Sequence, residues 1–134
     1  MDFDTRGAYQ FGLLPLVVWR EAQNQGYDGM LAVAWTIRNR VNHPSWWGND
    51  YPSCILHHWQ YSSFNWSDVN DVKFPKGNEP SWQVALQAAV DAFTGQATDP
   101  TDGATSYYDN SIPAPSWSKT MTFTKQIGNF LFFK

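Results

Sequence analysis

Asp28-Gly29-Met30-Leu31-Ala32-Val33-Ala34-Trp35-Thr36-Ile37-Arg38-Asn39-Arg40-Val41-Asn42 is the stretch from which the fold is read. Met30, Val33, Ala34, Ile37 and Val41 fall at three- and four-residue spacing, which puts them on one face of a helix. Asp28 is a good N-cap for it. His43-Pro44-Ser45 stops it, because a residue before proline is pushed out of the α region. The spacing therefore predicts a buried helix over 28–42.

Upstream, residues 14–23 alternate too irregularly for a strand, and Pro15 suits a first helical turn, so a short buried helix is expected to end near Asn24 and break at Gly26. Downstream, Trp82, Ala85, Leu86, Ala89, Val90 and Phe93 form an apolar stripe over 80–94, with Gly95 as its C-terminal stop. Residues 46–77 are rich in Trp, Asn, Ser, Pro and Asp without a sustained period, which predicts loops, short helical turns and a small hairpin. Residues 105–109 and 122–132 have the Tyr, Thr, Ile and Phe content of strands and are separated by Pro113 and Pro115. The expected class is mainly α with a minor β element, in one compact domain over 1–134. A chain of 134 residues suffices for one core.

Net charge is −3 with no run of Lys or Arg, so nucleic acid is not an expected partner. The apolar run 13–19 is too short for a membrane span, and the acidic N-terminal residues do not resemble an export signal. The expectation is a monomer that does not insert into membranes and has no signal peptide. The single cysteine, Cys54, reads as a buried or incidental thiol. His43, His57 and His58 lack the spacing of a zinc helix, and no nucleotide or phosphate-loop fingerprint occurs, so neither metal nor cofactor is expected.

Eight Trp, six Tyr and nine Phe exceed the needs of a small core, so some rings are expected to line a groove. Of the twelve acidic residues, most sit in polar, turn-like contexts. Glu21 instead follows the apolar segment Leu16-Val17-Val18-Trp19, where partial burial would favour the neutral acid. A carboxylic acid protonated near neutral pH can donate to a glycosidic oxygen. The alternative at this point is that Glu21 simply pairs with Arg20, Arg38 or Arg40.

Several segments in order carry a resemblance. They are Val18-Trp19-Arg20-Glu21-Ala22-Gln23-Asn24-Gln25-Gly26; Gly29 to Ala34; Ile37-Arg38-Asn39-Arg40-Val41 with His43-Pro44; Trp59-Gln60-Tyr61-Ser62-Ser63-Phe64-Asn65; Asp99-Pro100-Thr101 with Gly103 to Tyr108; and Ile127-Gly128-Asn129 with Phe130, Phe132 and Phe133. Over nearly its whole length the chain resembles the spore-cortex lytic enzyme (SleB-type) family of cell-wall hydrolases.

The resemblance implies a lysozyme-like fold and cleavage of the peptidoglycan glycan strand between N-acetylmuramic acid and N-acetylglucosamine, with Glu21 at the family's catalytic glutamate. It implies a lytic transglycosylase, in which one acid protonates the leaving oxygen and then, as carboxylate, deprotonates the muramic acid's primary hydroxyl to close an anhydro ring. A hydrolase would want a second carboxylate about 5 to 9.5 Å away; Asp28, Asp68 and Glu79 are the candidates. Gln60, Tyr61, Ser62, Ser63 and Phe64 are expected to line the cleft, with Tyr107 and Tyr108 as the opposite wall and Trp117 as a further stacking candidate. Asn39 and Arg40 read as structural partners of the cleft wall.

Arg20 stands where the family usually has Gly, and Ser106 where many relatives have His or another bulky residue. An Arg20 aimed at Glu21 would lower its pKa. The expected setting is a bacteriophage endolysin, held in the host cytoplasm until the membrane is breached. The alternatives are a hydrolytic muramidase and a non-catalytic glycan-binding module.

Overall fold

The apolar face read over 28–42 becomes the centre of the molecule. The computed structural model describes residues 5–57, 61 and 73–134, with side chains from residue 10 onward. Helices α1 (Thr5–Ala22), α2 (Gly26–Asn42), α3 (Tyr51–Leu56) and α4 (Pro80–Thr94) precede strands β1 (Ser106–Asp109), β2 (Phe123–Ile127) and β3 (Phe130–Phe133), with a 3-10 turn at Ser116–Lys119. The mainly helical class with a minor β element is the one observed.

Met30, Val33, Ala34 and Ile37 of α2 are at most 1% exposed, and they pack with Leu14, Val17 and Val18 of α1. On α4 the buried positions are Ala85, Ala88, Ala89 and Ala92, small side chains that let the two helix axes approach closely. This rotates the α4 stripe from the expected one: Val90 is exposed, while Ala88 and Ala92 lie inside. Gly95 ends α4 in the left-handed region at φ 76°, as a C-terminal stop requires.

Two helix starts differ from expectation. α2 begins at Gly26 with Gln25 as N-cap, so Asp28 lies in the first turn, where a carboxylate complements the partial positive charge of the helix end. α1 begins at Thr5 and ends at Ala22, which puts Pro15 in its interior. Proline there removes a backbone hydrogen bond at a cost of about 3 kcal/mol. Burial of Leu14, Pro15, Val17 and Val18 offsets that cost and keeps the helix continuous.

The strand content read over 122–132 is a hairpin followed by pairing to β1. β3 is the central strand, antiparallel to β1 (Ser106 opposite Phe133) and to β2 (Ile127 opposite Phe130), in the order β1-β3-β2. Gly128 turns the hairpin at φ 56°, a conformation that suits a two-residue loop. The Oε1 of Gln25 accepts from the Asn129 N–H at 3.2 Å and would lie 2.7 Å from a Cβ at position 128. Gly128→Ala is therefore expected to cost about 1–2 kcal/mol, read as a lowered melting temperature.

The sheet is tied to α2 by a buried polar cluster. Asn39 Nδ2 donates to Asp99 Oδ2 (2.8 Å) and to the Ala104 carbonyl (2.9 Å). Asp99 also accepts from the Thr101 N–H (2.8 Å), the Thr101 hydroxyl (2.6 Å) and the Gly103 N–H (3.0 Å). Burial alone would raise the Asp99 pKa, but these hydrogen bonds to Thr101, Asn39 and Gly103 outweigh it and hold the carboxyl below its ordinary value.

Candidate active site

The last turn of α1 is fixed on its buried side, with Val17, Val18 and Ala22 inaccessible and Trp19 Nε1 donating to Ser81 Oγ at 3.0 Å. Glu21 leaves that turn half-buried, at the edge of the core. It lines a cleft of about 590 Å³.

Part of the lining comes from α2 and the residues just after it. Arg40 is 5% exposed; its Nε donates to the Thr105 carbonyl at 2.6 Å and its Nη2 to Ser106 Oγ at 3.4 Å. Its guanidinium lies 5.0 Å from the ring centre of Trp47 and 5.6 Å from that of Trp46. Trp47 Nε1 donates back to the Arg40 carbonyl at 2.9 Å, which fixes the indole, while Trp46 remains 58% exposed.

A second part comes from β1 and the chain beyond it: Ser106, Tyr107 and Tyr108, then Ile112, Pro115, Trp117, Thr120 and Met121. Tyr108 stacks on Phe133 at 5.7 Å, and Trp117 meets the same ring edge-on at 5.5 Å, so β3 supports both. Tyr107 packs against Phe130 and Phe132.

Two phenols record the charges inside the cleft. Burial raises the Tyr61 pKa; the Arg40 charge opposes this, the Glu21 charge adds to it, and Thr36 hydrogen-bonds its side chain. Burial pushes Tyr107 well above its ordinary value, the charges of Glu21 and Tyr61 add to the rise, and Arg40 opposes it. Both hydroxyls stay protonated near neutral pH and can donate hydrogen bonds.

Glu21, Tyr61, Tyr107, Tyr108 and Trp117 thus come together in one cleft. Gln60, Ser62, Ser63 and Phe64 lie outside the described residues, as does Asp68. Among the described residues lining the cleft, Glu21 is the one carboxylate; Asp28 sits in the first turn of α2 and Glu79 occupies the N-cap position of α4 without a side-chain capping bond. Arg20 donates from Nε (3.0 Å) and Nη2 (2.9 Å) to the Lys73 carbonyl and lies 5.1 Å from the ring centre of Phe74. Cys54 is buried, and burial pushes its thiol up to about 11, so it is not a thiolate at neutral pH. Among the described residues no group of three or more His, Cys, Asp or Glu is placed to hold a metal ion.

The reading of the sequence did not single out Trp46, Trp47, Ile112 or Met121 as cleft residues. The aromatic excess was the available signal for the two indoles. Nothing comparable marks the aliphatic pair.

A family model described as Cell Wall Hydrolase matches residues 24–133. The match begins just after Glu21. The chain is 29% identical over 120 residues to a spore cortex-lytic enzyme of Halalkalibacterium halodurans, covering 90% of this chain and 33% of that protein. It thus spans about a third of that relative's length. Its fold superposes on the catalytic domain of the germination-specific lytic transglycosylase SleB from Bacillus anthracis with a TM-score of 0.75, at 26% identity and 93% coverage of both chains. The catalytic domain of the Bacillus cereus SleB protein gives a TM-score of 0.75 at 25% identity, covering 99% of this chain and 93% of that one.

Proposed function

The chain belongs to the cell wall hydrolase family, and from that premise we propose that it cleaves the glycan strand of peptidoglycan between N-acetylmuramic acid and N-acetylglucosamine, as a lytic transglycosylase with Glu21 as its acid and base. The observation that carries this reading is the position of the Glu21 carboxyl, in a cleft walled by indoles and phenols and close enough to Tyr61 and Tyr107 to act on both hydroxyls. Flat aromatic faces suit the apolar faces of sugar rings. The SleB relative from Bacillus anthracis is a lytic transglycosylase, which favours ring closure over addition of water.

The reaction runs in two steps. Glu21 as carboxylic acid gives its proton to the glycosidic oxygen, the bond from that oxygen to the muramic C1 breaks, and the N-acetylglucosamine leaves as an alcohol. Glu21, now a carboxylate, takes the proton from the muramic C6 hydroxyl as O6 bonds to C1. The 1,6-anhydro ring closes, the acid is regenerated and no water is consumed.

Trp46→Ala tests the stacking role of the exposed indole. Losing such a face costs about 1–2 kcal/mol, an expected weakening of soluble glycan binding by roughly 5- to 30-fold in calorimetry. The proposed function itself is tested on purified sacculi. Release of soluble glycan fragments supports cleavage, whereas sedimentation with sacculi that stay unshortened would leave only a glycan-binding module.

An endolysin role is a finer form of the same proposal. Its support is chemical: an enzyme that shortens wall glycan lyses a cell once it reaches the wall. Expression in a bacterial cytoplasm should leave cells intact until the membrane is opened. Lysis without such opening would overturn this role.

A further inference from the structure

We infer that Arg40 is a positioning residue for the acid: it holds a fixed positive charge against Glu21 inside the cleft and so stabilises the carboxylate that Glu21 becomes on giving up its proton. This deepens the proposed function and rests on the reading of Glu21 as the acid.

A guanidinium is charged at every pH a protein meets, and a nearly buried one needs acceptors and an opposing charge. Its guanidinium donates to the Thr105 carbonyl at 2.6 Å and to Ser106 Oγ at 3.4 Å, both neutral acceptors, and lies near the rings of the two indoles. The carboxylate that shares the cleft with Arg40 among the described residues is Glu21. The other arginines nearby are engaged elsewhere: Arg38 donates to the Ala92 carbonyl and stacks on Trp35, and Arg20 donates to the Lys73 carbonyl.

The titratable groups that share the cleft with Glu21 are Arg40 from α2, Tyr61, and Tyr107 and Tyr108 from β1; Arg20 neighbours it in sequence and reaches the Lys73 carbonyl. Tyr61 and Tyr107 each feel Glu21 and Arg40 with opposite sign, so both charges lie within reach of the same two hydroxyls. Two opposite charges that act on the same phenols in one cleft also act on each other. Their attraction favours the Glu21 carboxylate, which makes the acid a readier donor in the first step and its carboxylate a weaker base in the second.

Arg40 acts on Glu21 with the same charge in both steps. Trp47 donates to its backbone carbonyl and lies against its guanidinium. The charge at Arg40 is constant while that at Glu21 alternates.

The test is the titration of the Glu21 side-chain carboxyl by carbon NMR, with the resonance assigned by its loss in Glu21→Gln. Removing the charge in Arg40→Met should raise the Glu21 pKa by about one unit or more, while Arg40→Lys should leave it within about 0.3 unit of the wild type. An unshifted pKa in Arg40→Met overturns the inference. If Arg40→Met does not fold, the coupling is read in reverse: the ammonium introduced by Arg40→Lys should lose about one pKa unit when Glu21→Gln is added, because coupling between two sites is reciprocal. An unchanged ammonium overturns the inference equally. These titrations do not depend on activity, so failure of the Glu21 reading appears separately, as cleavage that survives in Glu21→Gln.

Discussion

Glu21→Gln is expected to reduce glycan cleavage by about 1000-fold, the scale of a lost general acid. The substitution keeps the shape of the side chain and its capacity for hydrogen bonds but removes the transferable proton. Because Glu21 is half-buried at the cleft edge rather than inside the packed core, the melting temperature should move little. Near-UV circular dichroism should be retained, since the indoles and phenols of the cleft are held by Arg40, Phe130, Phe132 and Phe133. Glu21→Asp should fall in between, because it draws the carboxyl back by about 1 Å and misplacement on that scale costs about 100-fold. Fragment release from sacculi, followed over time, checks the activity of both variants. Cleavage by Glu21→Gln at a rate near the wild type would transfer the acid role to another group.

Asp99→Ala is expected to cost about 2–4 kcal/mol of stability, without any direct part in catalysis. The carboxylate accepts four hydrogen bonds, and its loss leaves the amides of Thr101 and Gly103 short of an acceptor in a half-buried loop. The pH dependence has a definite sign. Because the folded-state pKa of Asp99 is lowered, its contribution is fully present above the unfolded pKa of about 4 and disappears as the pH falls through the folded value. The stability gap between wild type and Asp99→Ala should therefore be constant near neutral pH and narrow in acid. Urea denaturation at pH 7 and at pH 3 measures it; a gap that widened at pH 3 would contradict the role assigned to the carboxylate.

The helical frame was legible in the sequence because its signals are local. The apolar spacing of Met30, Val33, Ala34 and Ile37, the stop at His43-Pro44 and the glycine at position 95 each act within one or two turns. Pro15 misled for the same reason: a first-turn preference is local, whereas its burial among Leu14, Val17 and Val18 is a tertiary effect that keeps α1 continuous through it. The face of α4 was misjudged at Val90 because close packing on α2 selects alanines over larger side chains.

At the site, Glu21 stood out as a carboxylate beside an apolar run. The company it keeps depends on contacts far apart in sequence. Arg40 reaches the Thr105 carbonyl across 65 positions, and Tyr107, Tyr108 and Trp117 gather on the rings of β3. No periodicity announces such pairings. Residues 60 and 62–64 fall outside the described part of the chain, so Tyr61 alone of that segment is placed, and its burial puts it among both core and cleft residues.

The central claim is that one carboxylic acid breaks the glycan and then closes the ring. Mass spectrometry of the muropeptides released from purified peptidoglycan tests it directly, because an anhydromuramyl end is lighter than a reducing end by one water. The account predicts anhydromuramyl ends from the wild type and none from Glu21→Gln; reducing muramic acid ends from the wild type would contradict it and require a water-activating group that this mechanism does not contain.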